Sequence, residues 1–184
     1  MKSKVVALSA ISAAFVAVLL TVGALVDFID VFMITAASVF VTLPLYYKSY
    51  KGSILCYLAG GMIGALSALG LGKLISSVVI PSYFIFFGIY PIILKILKEK
   101  KVHKAIYFLI GLLWCVATIY GMYFYYVKII GIMDNLPQVI ADNIYWFIAL
   151  AGVIFFFVYE RFLTVSSMLS DKVIKRILKD KNND

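Results

Sequence analysis

From Val5 to Val26 the chain carries no charged residue, and about 20 such residues suffice for a helix to cross the hydrocarbon core of a bilayer. Five more apolar runs follow: Val31 to Tyr47, Ser53 to Leu71, Leu74 to Leu97, Ala105 to Val127 and Asn143 to Val165. Hydrophobic residues make up 64% of the 184 and charged residues 14%, against roughly 45–50% and about 25% in soluble domains. The expected fold is therefore an all-α integral membrane protein with six transmembrane helices, multi-pass in the cell membrane. The basic start Met1-Lys-Ser-Lys resembles a signal peptide. The run behind it is too long for a typical signal core and has no clear small-residue cleavage site before Asp27, so it reads as a retained first helix.

Loop charges give a direction. Six crossings put both termini, the turn at Lys48 and Lys51, and the loop from Lys95 to Lys104 on one side. All of the 17 basic residues except Lys73 and Lys128 fall there. The opposite side carries Asp27, Asp30, Asp134 and Asp142. Basic loops are retained in the cytoplasm, which places both termini there. The net charge of +8 thus reports orientation, and nucleic acid is not an expected partner. Residues 1–165 form the transmembrane domain and 166–184 a basic tail. After Ser170, a plausible N-cap, Val173, Ile174, Ile177 and Leu178 alternate with Lys172, Lys175, Arg176 and Lys179 as in an interfacial amphipathic helix.

Two runs carry stripes of small residues. In the first, Ser9, Ala13 and Ala17 are spaced by four, as are Ala10 and Ala14. In the third, Gly60, Gly64 and Ala68 repeat the spacing. Small residues at this interval let helix backbones approach closely in membranes, so the third run is the natural internal partner of the first. Pro44 falls near the end of its run, where a kink costs little, and Pro81, Gly88 and Pro91 interrupt the fourth run.

Catalysis within the membrane would need ionisable groups there, and no run carries one at its middle. Zinc-protease, nucleophile-elbow and P-loop motifs are missing. Cys56 and Cys115 lie within apolar runs, outside any metal-ligand spacing, and His103 stands alone in a lysine-rich loop. An enzyme is not expected, nor a bound cofactor or metal. Recognition remains. Asp30, Tyr83, Tyr123, Asn143 and Trp146, with Tyr120 and Tyr145 nearby in sequence, bring aromatic walls and a few polar anchors, the usual composition of a small-molecule site. The tyrosines of the fifth run suit an aromatic belt at the membrane interface better than a pocket.

The first helix, Leu8-Ser-Ala-Ile-Ser-Ala-Ala-Phe-Val-Ala-Val-Leu-Leu20 with its Ala-x-x-x-Ala, in a small six-helix chain, resembles the substrate-binding S component of an energy-coupling-factor (ECF) vitamin transporter. The segment Tyr83-Phe-Ile-Phe-Phe-Gly-Ile-Tyr-Pro-Ile-Ile-Leu-Lys95 is also similar to S-component-like bacterial membrane proteins. The resemblance implies a vitamin-like micronutrient held near the outer face. It further implies a coupling transmembrane subunit with two ATPases as partners. Docking residues would be Ala10 and Ala14, with Ser9, Ala13 and Ala17 in the second register. The competing expectation is a non-enzymatic structural or scaffolding protein whose stripes serve internal packing and whose basic loops meet anionic lipid.

Overall fold

The computed structural model describes residues 2–26, 28–75, 77–129 and 138–180. Among these the chain is helical, with no strand. Six helical stretches are long and apolar enough to cross a membrane: Ser3–Leu25, Asp30–Tyr47, Tyr50–Gly70, Val79–Glu99, Lys104–Val127 and Asn143–Ser170. We number the helices α1 (Lys2–Leu25), α2 (Asp30–Thr42), α3 (Tyr50–Gly70), α4 (Val79–Ser82), α5 (Tyr90–Glu99), α6 (Lys104–Phe124) and α7 (Gln138–Asp180). Asp27, Asp134 and Pro137 lie outside the described residues. The helices divide between two compact units, residues 1–96 with 161–184, and residues 97–160.

Three turns share one solution for ending a helix. After α2 a 3-10 turn, Leu43–Tyr47, carries Pro44 in its first positions. Lys48 then adopts a left-handed φ of 55°, its N–H donating to Leu45 O and that of Ser49 to Pro44 O. Gly72, at φ 69°, ends α3 with the paired bonds Gly72 N–H to Leu69 O and Lys73 N–H to Ala68 O. Lys101, at φ 55°, ends α5 with Lys101 N–H to Lys98 O and Val102 N–H to Leu97 O. These are Schellman closures, in which one left-handed residue lets two N–H groups turn back onto otherwise orphaned carbonyls. The basic turn after α2 is accordingly shorter than the sequence suggests. Ser49 accepts from Gly52 N–H as N-cap, and α3 begins at Tyr50 rather than Ser53. Gly52 belongs to the helix, where a Cβ would lie 2.5 Å from Ser9 Oγ.

In the first unit α1 packs along α3 and α2. The α1–α3 seam is parallel and made of small residues. A Cβ at Gly60 would lie 2.7 Å from Val16 Cβ and 2.9 Å from Ala13 O, and one at Gly64 would lie 2.9 Å from Leu20 Cβ. Glycine is therefore what allows the backbones to meet. Several hydroxyls along these helices turn back on their own backbone, Ser9 to Val5 O, Thr21 to Ala17 O and Thr35 to Val31 O, which satisfies them without water. The Ser53 hydroxyl of α3 donates across to Val41 O of α2, and the buried Ser12 hydroxyl has no partner among the described residues.

The fourth span is broken as its prolines and glycine suggest, into α4, a π-helical turn Tyr83–Phe87, and α5. It is the most buried of the six. In the π turn Gly88 N–H donates to Tyr83 O (2.8 Å), five residues back, and so is not given to Phe84 O as in an α-helix. The Tyr57 hydroxyl of α3 donates to that Phe84 carbonyl instead, at 2.9 Å, while the Tyr83 hydroxyl donates to Tyr57 O at 3.2 Å. The two tyrosines thus tie α3 to the broken span reciprocally.

In the second unit α6 and the adjoining part of α7 pack antiparallel. Phe108 meets Phe156 and Phe157 with ring centroids 5.2 Å apart in each case. A Cβ at Gly152 would come within 3.2 Å of Ile119 Cδ1, and Tyr120 donates to Tyr145 O. α7 continues through Ser170 to Asp180 without a break, so Ser170 caps no helix. The side chains beyond it, which carry the expected amphipathic pattern, lie outside the described residues.

Candidate functional site

The residues expected to dock a partner fall on two lines of α1 with different surroundings. Ser9, Ala13 and Ala17 are buried, on the line that faces Gly52, Gly60 and Gly64. Ala10 and Ala14 are exposed. Around them Val6, Ile11, Phe15 and Val18 are exposed as well, so the free line is a shallow strip of small residues between bulky apolar ones. Successive residues on a helix differ by about 100° in direction, which is how one stripe contributes to the seam and its neighbour stays outside.

Next to this strip, between the N-terminal halves of α1 and α3, lies a groove of about 330 Å³. Ala10 and Ala13 line it from α1, and Gly52, Leu55, Cys56 and Ala59 from α3, with Lys51 at one end. It lies within the first unit.

The residues expected to contact substrate divide between the two units. Asp30 and Tyr83 belong to the first unit, and Tyr123, Asn143 and Trp146 to the second. Asp30 opens α2, where its carboxylate accepts the Val31 N–H, a favourable place for a negative charge at a helix N-terminus. Tyr83 is 0% exposed. It is enclosed by Tyr57 and Phe84, and Gly88 leaves its ring room, since a Cβ there would come within 2.8 Å of Tyr83 Cζ. In the second unit Tyr123 meets Tyr145 edge to face at 6.1 Å, and Tyr120 stacks near it at 6.2 Å. Asn143 and Trp146 are exposed on the same stretch of α7, Trp146 to 79%. The structure thus brings Tyr120, Tyr123 and Tyr145 together, beside Asn143 and Trp146 in sequence, and keeps Tyr83 for packing.

Two side chains acquire roles the sequence reading missed. His103 caps α6, its Nδ1 accepting the Ala105 N–H at 3.3 Å; its position just before an apolar run was the available signal. Tyr57 carries the reciprocal bond to the broken span, which no local pattern announces. Cys56 and Cys115 are free and buried. Among the described residues no group of three His, Cys, Asp or Glu side chains is placed to hold a metal. No family model, curated protein or solved structure matches the chain.

Proposed function

We propose that the chain is the membrane-embedded substrate-capture subunit of an ECF-type importer for a vitamin-like micronutrient. In this reading the Ala10/Ala14 line docks on a coupling transmembrane subunit, whose ATPases drive transport. The supporting observation is the division of the first-helix stripe: α3 occupies the Ser9, Ala13 and Ala17 line, while Ala10 and Ala14 stay exposed on an apolar spanning helix. A closely approaching partner helix requires small residues at its contact. The lysine distribution adds the orientation, with both termini cytoplasmic and Ala10 and Ala14 in the inner half of the bilayer, within reach of a cytoplasmic motor's coupling helices. The basic tail beyond residue 165 carries its lysines and arginine to the anionic inner surface. Tyr123, Asn143 and Trp146 are the substrate-facing side chains of this reading. Asp30 is an acidic anchor on the outer side, and Tyr83 supports the fold.

The test is co-expression of Ala14→Trp with a coupling subunit and its ATPases. The variant is expected to lose co-purification while its stability changes by less than about 0.5 kcal/mol, as for substitutions at exposed positions. Undiminished co-purification would overturn docking at this line.

A further inference from the structure

We propose that the groove between α1 and α3 seats one acyl chain of an anionic phospholipid, with its phosphate held at Lys51 and Lys48. The groove shares Ala10 with the docking line, but the inference rests on the furrow and its lysine mouth rather than on Ala14. The groove runs from Lys51 to Ala59 on α3, eight residues of helix or about 12 Å, and its long direction is that of a lipid tail. Its walls make no polar demand. The Ser9 hydroxyl that lines it donates to Val5 O, and the Ser49 hydroxyl accepts from Gly52 N–H. The depth comes from small residues, Ala13, Gly52 and Ala59, which leave a chain-wide furrow where larger side chains would close it.

The mouth decides which apolar occupant fits. Lys51 lines it, in the first turn of α3, and Lys48 stands in the turn just before; both are exposed. The positive end of the α3 backbone dipole adds to them. No Asp or Glu occurs from Met1 to Val26 or from Val31 to Lys98, so the helices that build the groove supply no acid of their own. A tail with a phosphate at its end matches a furrow with lysines at its end. A wholly apolar partner side chain would leave that charge unused.

The full chain, purified in detergent and stripped of lipid, is titrated with phosphatidylglycerol or phosphatidylcholine of equal chain length and read by native mass spectrometry. Phosphatidylglycerol is expected to be retained about tenfold better, the scale of a lysine or two at an anionic surface. Lys48→Gln with Lys51→Gln should bring the two lipids to parity. Ala59→Leu, which fills the furrow from α3 and leaves both docking alanines in place, should reduce retention of both. If that variant does not fold, Leu55→Trp, at an exposed lining position, closes the groove from its rim. Equal retention by a folded groove-filled variant, no preference between headgroups, or displacement by equimolar inorganic phosphate would overturn the proposal. So would a groove-filled variant that keeps its lipid and loses only a co-expressed coupling subunit, because the groove would then seat that partner's helix.

Discussion

Two of the helix seams are built on opposite principles. α1 and α3 run parallel and meet through backbone and small side chains, with Gly60 set against Val16 and the Ala13 carbonyl. α6 and α7 run antiparallel and meet through rings, Phe108 against Phe156 and Phe157 and Tyr123 against Tyr145. Water drives neither seam together inside a bilayer, so van der Waals contact and hydrogen bonds must do it. The first obtains contact by bringing two helix axes close. The second obtains it largely by filling the space between the helices with aromatic area. A close seam has no slack, while a seam of side-chain tips can rearrange.

The sharpest way to break this contrast is to add bulk at the glycine of each seam. Gly60→Leu meets Val16 Cβ and the Ala13 carbonyl, which cannot yield without separating the helices. It is expected to cost at least the 1–3 kcal/mol or so typical of overpacking, seen as a loss of monodisperse protein or a large fall in melting temperature in detergent. Gly152→Ala meets Ile119 Cδ1 and Val116 Cγ2 at 3.2 and 3.3 Å, the ends of side chains that can turn away. Alanine also gains up to about 1 kcal/mol of helix propensity over glycine, so that variant should melt within a few degrees of the parent protein. Equal damage at both sites would refute the distinction.

A smaller effect tests how the broken span is joined to α3. Tyr57→Phe and Tyr83→Phe each remove one interhelical hydrogen bond, worth about 0.6 kcal/mol on average in membrane proteins and up to about 1.7. Tyr57→Phe should be the costlier, because the Phe84 carbonyl loses the donor that replaces its helical one. The double variant should depart from additivity, since the two rings touch and both bonds tie the same two segments. Additive losses, or a costlier Tyr83→Phe, would show that the pair acts as two independent contacts.

Much of the architecture was legible in the sequence because the bilayer makes length and charge informative. Six spans, the break near Pro81 and Pro91, the close of α2 near Pro44 and the partnership of α1 with α3 all follow from apolar run length, proline chemistry and the spacing of small residues. The candidate site was legible only in part. Ser9/Ala13/Ala17 and Ala10/Ala14 are equally good stripes on paper, and which one faces α3 depends on how the helices are rotated, a property of the assembled seam. Tyr83 has the composition of a pocket residue, a belt residue and a core residue alike. Only the room left by Gly88 and the hydrogen bond to Tyr57 O make it a core residue. The role of Gly52 was obscured for the same reason, because its neighbour Ser9 is 43 positions away.

The smallest effect lies at the edge of the aromatic unit, where one helix ends and the next begins. Lys101 holds a left-handed backbone at φ 55°, a conformation that costs a residue with a Cβ roughly 1–2 kcal/mol. Lys101→Gly relieves that cost but gives the unfolded chain more freedom, for a net gain of about 0.5–1 kcal/mol and a slightly higher melting temperature. His103→Ala, two residues on, removes the acceptor for Ala105 N–H. Loss of an N-cap costs about 0.5–2 kcal/mol with the best capping residues. This bond is long, at 3.3 Å, and exposed, so the expected loss is at the lower end of that range. Combined, the two changes should nearly cancel, as they act on the end of α5 and the start of α6 separately. A large net loss would mean that the turn is a single coupled unit and that the start of α6 depends on it more than on the rings behind it.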